Sequence, residues 1–137
     1  MLTGNLIDGR AIAQEVHAET ESRVATLKLA GVEPGLVFIR VGEDPASKVY
    51  VGMKERTAAR LGIRSDTTVL PENTPETGLL ELLGKLNADA SVHGVLVQAP
   101  LPRHIDETNV FSAVSPAKDV DGFHPLNAGK LMLGEGG

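Results

Sequence analysis

Hydrophobic and polar residues follow two kinds of pattern along this chain. Continuous apolar runs predict buried strands at 36–41 and 92–98, and a weaker alternation predicts a more exposed strand at 63–70. Leu6-Ile7 also opens as a possible short strand, which Asp8-Gly9 ends. The pattern therefore predicts several short strands separated by longer segments of another type.

In those longer segments the apolar residues recur at the three- and four-residue intervals of a helix. Apolar residues from Ile12 to Leu27 predict a surface helix from Arg10 to Ala30 that stops at Gly31. Asp44 as N-cap and Pro45 at the first helical position predict a second helix, over about 46–61.

Two further helices follow, and then a long tail. Thr74 as N-cap followed by Pro75 predicts a helix that runs to about Asn87. Asp106 is expected to cap a short helix within 105–114. The remainder, 115–137, is rich in glycine and proline and is predicted to be mostly loop.

Strands that alternate with helices predict right-handed crossovers and a mostly parallel sheet. We therefore expect an α/β fold, a three-layer sandwich with helices on both faces of the sheet. At 137 residues the chain is about one domain in length.

Composition narrows the classes of function. The net charge of −5 argues against nucleic-acid binding, which needs a basic surface. The absence of cysteine excludes disulfides and thiolate zinc sites and fits a cytoplasmic protein. No apolar run approaches the length of a membrane span, so no membrane partner is expected.

The candidate chemistry lies after two of the buried strands. Tyr50 and Lys54 are four residues apart on the predicted helix, so a phenol and an ammonium share one face. Gln98 ends the other strand, where the prolines of Ala99-Pro100-Leu101-Pro102 stop the sheet. Because the carboxyl ends of parallel strands share one edge, Gln98 is expected near Lys54.

Each of these residues also has a purely structural interpretation. Tyr50 can be a half-buried helix residue, Lys54 a solvated one, and Gln98 a loop residue satisfied by backbone groups. Asp119 and Asp121 beside His124 form a weak divalent-ion pattern, and we predict no metal site.

Three long motifs, in order, carry a family resemblance. They are Gly42-Glu43-Asp44-Pro45-Ala46-Ser47 with Tyr50-Val51-Gly52-Met53-Lys54, then His93-Gly94-Val95-Leu96-Val97-Gln98-Ala99-Pro100-Leu101-Pro102, then Lys118-Asp119-Val120-Asp121-Gly122-Phe123-His124-Pro125 with Asn127-Ala128-Gly129. The chain resembles the bifunctional methylenetetrahydrofolate dehydrogenase–methenyltetrahydrofolate cyclohydrolases from Leu6 to Leu131.

The resemblance implies a fold and an activity. Residues 1–137 would be the folate-binding catalytic domain, of the amino-acid-dehydrogenase-like type, of a cytoplasmic enzyme that is homodimeric at full length. That enzyme oxidises methylenetetrahydrofolate with NADP and hydrolyses the methenyl product to formyltetrahydrofolate, in one-carbon metabolism and purine biosynthesis. The family's NADP-binding Rossmann domain is absent from this sequence, which has no strand–Gly-x-Gly-x-x-Gly–helix context.

The resemblance also implies roles for particular residues. Lys54 is the acid–base candidate, Gln98 would orient it, Tyr50 would stack on the aminobenzoyl ring, and Asp121 would bind the amino-pyrimidine edge of the pterin. The implied substrate-binding set is Ser47, Tyr50, Lys54, Val97, Gln98, Ala99, Pro100, Leu101, Pro102 and Asp121.

One position departs from the family and two other functions stay open. Ala99 stands where the family usually has leucine, which enlarges that wall of the pocket without removing polar chemistry. The alternatives are a folate-binding module without turnover, and an enzyme that uses Lys54 to form a Schiff base with a carbonyl substrate.

Overall fold

The computed structural model describes residues 7–135, in which four helices alternate with three strands and a fifth helix follows. They are α1 (Gly9–Leu29), β1 (Gly35–Val41), α2 (Pro45–Arg60), β2 (Arg64–Leu70), α3 (Glu76–Ala88), β3 (Gly94–Val97), α4 (Glu107–Ala113) and α5 (Pro125–Leu133). No helix in this range is long and apolar enough to cross a membrane.

The three strands form one parallel sheet in the order β2-β1-β3. Gly35 pairs with Arg64 and Leu36 pairs with Gly94, so all three strands start at the same edge. The predicted parallel α/β sheet is confirmed. All three carboxyl ends, and the loops that leave them, therefore lie at the opposite edge.

One face of the sheet is closed by α3 and α4. Ile39 of β1, Leu79 and Leu83 of α3, and Val110 of α4 have no exposed surface. They belong to one aliphatic cluster that also contains Val37, Val41, Val92, Val95, Val97, Ile105 and Val114. Alternate residues of β1 point into this cluster, as the two-residue period of a strand requires.

The other face packs on α2 and is less fully covered. Its buried cluster contains Phe38 of β1, Leu96 of β3 and Val51 of α2. Helices on both faces of the sheet confirm the predicted layering. Along α1 only Val24 is buried, and the apolar Ile12 and Val16 stay about half exposed at 49% and 54%.

The start of the chain differs from the prediction. Ile7 is not part of a strand and is 83% exposed, while Leu6 lies outside the described residues. Asp8, expected to end a strand, is the N-cap of α1, where its carboxylate accepts hydrogen bonds from the Arg10 and Ala11 amides at 3.0 and 3.1 Å. The cap at Asp8 begins the helix directly after Ile7, so Ile7 does not extend into a strand.

The start of α3 is one residue later than predicted. Pro75, rather than Thr74, is the N-cap, in an extended conformation and without a side-chain hydrogen bond. The Glu76 carboxylate instead accepts the Asp106 amide at 2.7 Å. That contact joins the beginning of α3 to the beginning of α4, so tertiary packing sets this boundary.

The segment 115–137, predicted as loop, contains the helix α5. Pro125 occupies its first turn, the His124 ring accepts the Leu126 amide at 3.1 Å, and Gly134 ends it with a φ of 70°. Proline at the start and glycine at the end were readable signals. Asn127 and Gly129 in its first half are poor helix formers, which conceals the helix in the sequence.

Candidate active site

The loop after β1 is held by the carboxylate that caps α2. Asp44 accepts the Ser47 amide at 2.7 Å, and this hydrogen bond is the main reason that the pKa of Asp44 is lowered. The predicted N-cap is confirmed. Ser47 itself lies in the first turn of α2 and is only 2% exposed.

Tyr50 and Lys54 follow on the same helix, one turn apart. Tyr50 is 57% exposed, whereas Lys54 is half-buried. Both line an apolar trough of about 470 Å³ between α2 and the sheet. The shared face that the four-residue spacing predicts is therefore present.

Gln98 leaves the end of β3 and meets Lys54. The Lys54 ammonium donates to Gln98 Oε1 at 3.0 Å. Gln98 is fixed from two sides, because its backbone amide donates to the Ile39 carbonyl and its Nε2 donates to the Ala99 carbonyl, both at 2.8 Å. The structure thus brings together two side chains that are 44 residues apart in sequence.

The loop after Gln98 forms a second wall at the same edge. The Ala99-Pro100 peptide bond is cis, and the Leu101 amide donates to the Glu107 carboxylate at 2.9 Å. A cavity of about 410 Å³ separates this loop from the one after β1. It is lined by Val41, Gly42, Glu43, Asp44, Glu72, Pro100, Leu101 and Pro102.

Val97 occupies a different position from the rest of the predicted set. Its side chain is 4% exposed and belongs to the closed aliphatic cluster against α3 and α4. Its side chain is thus in the core rather than at the trough. Ala99 is half-buried at the start of the loop.

Asp121 lies on a third segment, is exposed, and lines a separate cavity of about 490 Å³ beside α5. Partial burial raises the pKa of Asp121, the Lys54 ammonium lowers it in part, and the Asp119 carboxylate raises it further. The resulting pKa lies above the ordinary value of 3.8. Gly122, with a φ of 70°, supplies the left-handed conformation that turns the chain directly after Asp121.

Several walls of the trough were not predicted. They are Leu36, Phe38, Met53, Thr57, Ala58, Leu61, Ile63, Leu96 and Val120. The members from α2 recur at intervals of three and four residues from Tyr50 onward, so helical spacing could have found them. Val120 had no such signal, because only the tertiary fold brings it beside the sheet.

The described residues hold no cluster suited to a metal ion, since no group of three or more His, Asp or Glu side chains converges within 7–135. A nicotinamide dinucleotide does not fit them either. The loop after β1 carries Glu43 and Asp44, and the loop after β3 carries prolines, whereas a pyrophosphate needs glycine-rich backbone and positive charge.

A polar pair beside an apolar trough at the carboxyl edge of a parallel sheet is the geometry typical of a small-molecule site in α/β domains. The family model described as "Tetrahydrofolate dehydrogenase/cyclohydrolase, catalytic domain" matches residues 7–121, and the chain belongs to this family.

Relatives of known name agree with that assignment. The bifunctional protein FolD of Exiguobacterium sibiricum is 53% identical over 130 residues, which are 95% of this chain and 47% of the relative. Bifunctional protein FolD 2 of Myxococcus xanthus is 55% identical over 134 residues, with 97% and 46% covered. The chain thus spans about half the length of the curated relatives it matches.

Solved structures agree in fold. The bifunctional FolD dehydrogenase/cyclohydrolase of Campylobacter jejuni has a TM-score of 0.93 and 43% identity, over 96% of this chain and 46% of that one. The Trypanosoma brucei enzyme, complexed with NADP cofactor and inhibitor, has a TM-score of 0.87 and 37% identity, over 96% and 45%.

Proposed function

We propose that this chain is the folate-binding catalytic domain of a bifunctional enzyme. That enzyme oxidises methylenetetrahydrofolate to methenyltetrahydrofolate with NADP and hydrolyses the product to formyltetrahydrofolate. The observation that carries the proposal is the 3.0 Å hydrogen bond from Lys54 to Gln98 beside the apolar trough. The bond gives a chain of this family one positioned amine at the sheet edge.

Recognition of the folate is assigned to the residues around that amine. Tyr50 presents an exposed aromatic face on which the aminobenzoyl ring can stack. Asp121 carries a carboxylate that can accept two parallel hydrogen bonds from the amino-pyrimidine edge of a pterin. Ser47, Ala99, Pro100, Leu101 and Pro102 complete the proposed substrate-binding set, to which Val97 can contribute only through its backbone, because its side chain lies in the closed cluster.

Hydrolysis removes two protons from the added water and returns one of them to the folate. Water adds to the methenyl carbon and loses its first proton to the Lys54 amine. The ring carbon–nitrogen bond then breaks as the Lys54 ammonium returns that proton to the departing nitrogen, and the second proton leaves the carbinol hydroxyl for solvent, which gives the formyl carbonyl. Gln98 Oε1 accepts one N–H of the lysine and thereby fixes where the other two point.

The nicotinamide cofactor is assigned to chain outside these residues. NADP supplies the hydride acceptor for the dehydrogenase step, and the longer relatives have about as many residues again in which to hold it. We place the activity in the cytoplasm, in one-carbon metabolism and purine biosynthesis, in a homodimer of the longer protein. The net charge of −5 supports a function without nucleic acid or membrane partners.

A second candidate is a folate-binding module without turnover. It needs only the recognition contacts, because the 3.0 Å hydrogen bond from Lys54 to Gln98 can also be a purely structural pair. The two candidates share the recognition residues and differ only in whether Lys54 does chemistry.

Replacing Lys54 separates the candidates. Lys54→Met, in the longest natural protein that contains this chain, should reduce turnover of methenyltetrahydrofolate about a hundred- to ten-thousand-fold, as expected for a positioned acid–base group. Turnover is followed by the absorbance of the methenyl compound. Folate binding should persist, because Tyr50 and Asp121 remain.

Lys48→Met is the matched control, since Lys48 lies on the same helix and is exposed to solvent. It removes the same charge and should leave turnover unchanged. If Lys54→Met instead raises only the Michaelis constant and leaves turnover nearly normal, the lysine merely attracts the folate tail and the acid–base role is wrong.

A further inference from the structure

Asp119 and Asp121 are two residues apart, yet their carboxylates have different surroundings. Asp119 accepts three hydrogen bonds from its own segment: from the Phe123 amide at 3.2 Å, the His124 amide at 2.9 Å and Asn127 Nδ2 at 2.9 Å. Within the described residues no hydrogen bond to the Asp121 carboxylate is found, and Asp121 is exposed and lines a cavity of about 490 Å³. The Asp119 carboxylate is therefore saturated by the protein, while Asp121 is available to a ligand.

The chain just before Asp121 is fixed to the sheet. The Val95 amide of β3 donates to the Lys118 carbonyl at 2.8 Å, and Val95 and Asp119 form a parallel bridge. Gly94 permits this approach, because a Cβ on it would lie 2.5 Å from Val120 Cγ1. The Lys118 ammonium also donates to the Leu86 and Asp89 carbonyls at 2.8 and 2.7 Å, at the end of α3.

The chain after Asp121 is fixed to α5 by a single amide. Asn127 Nδ2 donates both to Asp119 Oδ2 and to the Pro116 carbonyl, each at 2.9 Å. Gly122 turns the chain between these two anchors. Asp121 thus stands on a short turn, whose two ends are joined through the Asp119 carboxylate.

We infer that Asp119 is a positioning residue for folate recognition, which acts by holding the turn that carries Asp121. The inference rests on the proposed function, since it assigns Asp121 to the pterin. Asp119 itself makes no contact with the ligand.

The chemistry of Asp119 supports a carboxylate at this position rather than an amide. Three N–H donors converge on its two oxygens, and only an ionised carboxyl group can accept at both. Asparagine would turn an NH₂ group toward at least one of these donors. Asp119→Asn should therefore release the turn while preserving side-chain size.

A double-mutant cycle tests the inference, with tetrahydrofolate binding to the full chain measured by calorimetry under anaerobic conditions. Asp121→Asn should weaken binding roughly ten- to a hundredfold, the range for a hydrogen bond to a charged group. Asp119→Asn should weaken it by at least about fivefold. In the Asp121→Asn background, Asp119→Asn should add less than about twofold, because its effect passes through Asp121.

Asp8→Asn is the matched control, because Asp8 accepts two backbone amides at the start of α1 and lies in a segment that lines neither cavity of the site. It should affect thermal stability but not affinity. If Asp119→Asn does not fold, Asn127→Ala takes its place in the same cycle, since it removes one of the three donors.

Two outcomes overturn the inference alone: full affinity in Asp119→Asn, or losses from the two aspartates that multiply instead of overlapping. A chain that folds but does not bind tetrahydrofolate at all overturns the proposed function, and this inference with it. The unaltered chain is therefore measured first.

Discussion

The two faces of the sheet differ in how completely the described residues cover them. The face under α3 and α4 is closed by an aliphatic cluster in which Ile39, Leu79, Leu83 and Val110 have no exposed surface. The face under α2 has a smaller buried cluster of Phe38, Val51 and Leu96, and beside it a trough of about 470 Å³.

The same strand supplies both faces. Val37 and Ile39 of β1 point into the closed cluster, while Leu36 and Phe38 line the trough. Close packing on one side holds the strand rigid. The apolar side chains on its other side can therefore remain uncovered and contact a ligand. The candidate site lies where the open face reaches the carboxyl edge, at Lys54 and Gln98.

Among the substitutions that test the difference between the two faces, the largest effect is expected on the closed face. Leu83→Ala should lower the free energy of unfolding by about 2–5 kcal/mol, because it removes a fully buried side chain and leaves a cavity. Urea denaturation measures the change. Leu131→Ala, at an 81% exposed leucine, should stay within about 0.5 kcal/mol of the unaltered chain. An equal effect of the two substitutions would remove the distinction between a closed core and an exposed surface.

The next effect is a difference between the pH at which tetrahydrofolate binding is lost and the pH at which the chain unfolds. The pKa of Asp121 is raised, chiefly by burial, so this carboxyl takes up a proton first as the pH falls. Burial also opposes ionisation of Asp119, but hydrogen bonds from Asn127 and from backbone amides outweigh it and lower the pKa. The stability that Asp119 contributes is present above its unfolded pKa and is lost only as the pH falls through the lower folded value.

Affinity for tetrahydrofolate should therefore decline at a higher pH than the one at which the chain unfolds, by up to about tenfold per pH unit. Calorimetry and circular dichroism across the same pH series measure the two transitions. In Asp121→Asn the ligand still titrates, but the loss of affinity caused by protonation of Asp121 should disappear. Coincident loss of binding and folding would contradict the assignment of Asp121.

A smaller effect is expected at the wall of the trough. Met53 is 52% exposed, so Met53→Ala should change the free energy of unfolding by less than about 0.5 kcal/mol. It should weaken tetrahydrofolate binding roughly three- to tenfold, because apolar contact with the ligand is lost. Val49→Ala is the control, since Val49 is 59% exposed on the same helix and does not line the trough. Equal affinities in the two variants would exclude the trough from the site.

The last prediction is the absence of dehydrogenase activity in the chain by itself. With methylenetetrahydrofolate and NADP, the 137-residue chain should not form reduced nicotinamide, because the described residues provide no phosphate-binding loop to hold the cofactor in place. A full-length relative serves as the positive control. A steady rise in the absorbance of the reduced cofactor would show that NADP binds to this chain.

Local signals predicted the elements that carry the site. The N-cap at Asp44 predicted the start of α2 to within one residue. The parallel topology predicted that Gln98 lies near Lys54, before any distance was known. Contacts between distant segments were not predictable in this way. Val120 joins the trough only because Gly94 lets its segment approach β3. The helix α5 was missed because Asn127 and Gly129, which are poor helix formers, lie in its first half.

The comparison of the two faces is tested most directly by mapping amide chemical shifts in the chain as tetrahydrofolate is added. The account predicts the largest shifts at Tyr50, Lys54, Gln98 and Asp121, and almost none at Leu79 and Leu83. Largest shifts on the closed face, or an unchanged spectrum in a folded chain with ligand in large excess, would contradict a folate site at the edge of the open face.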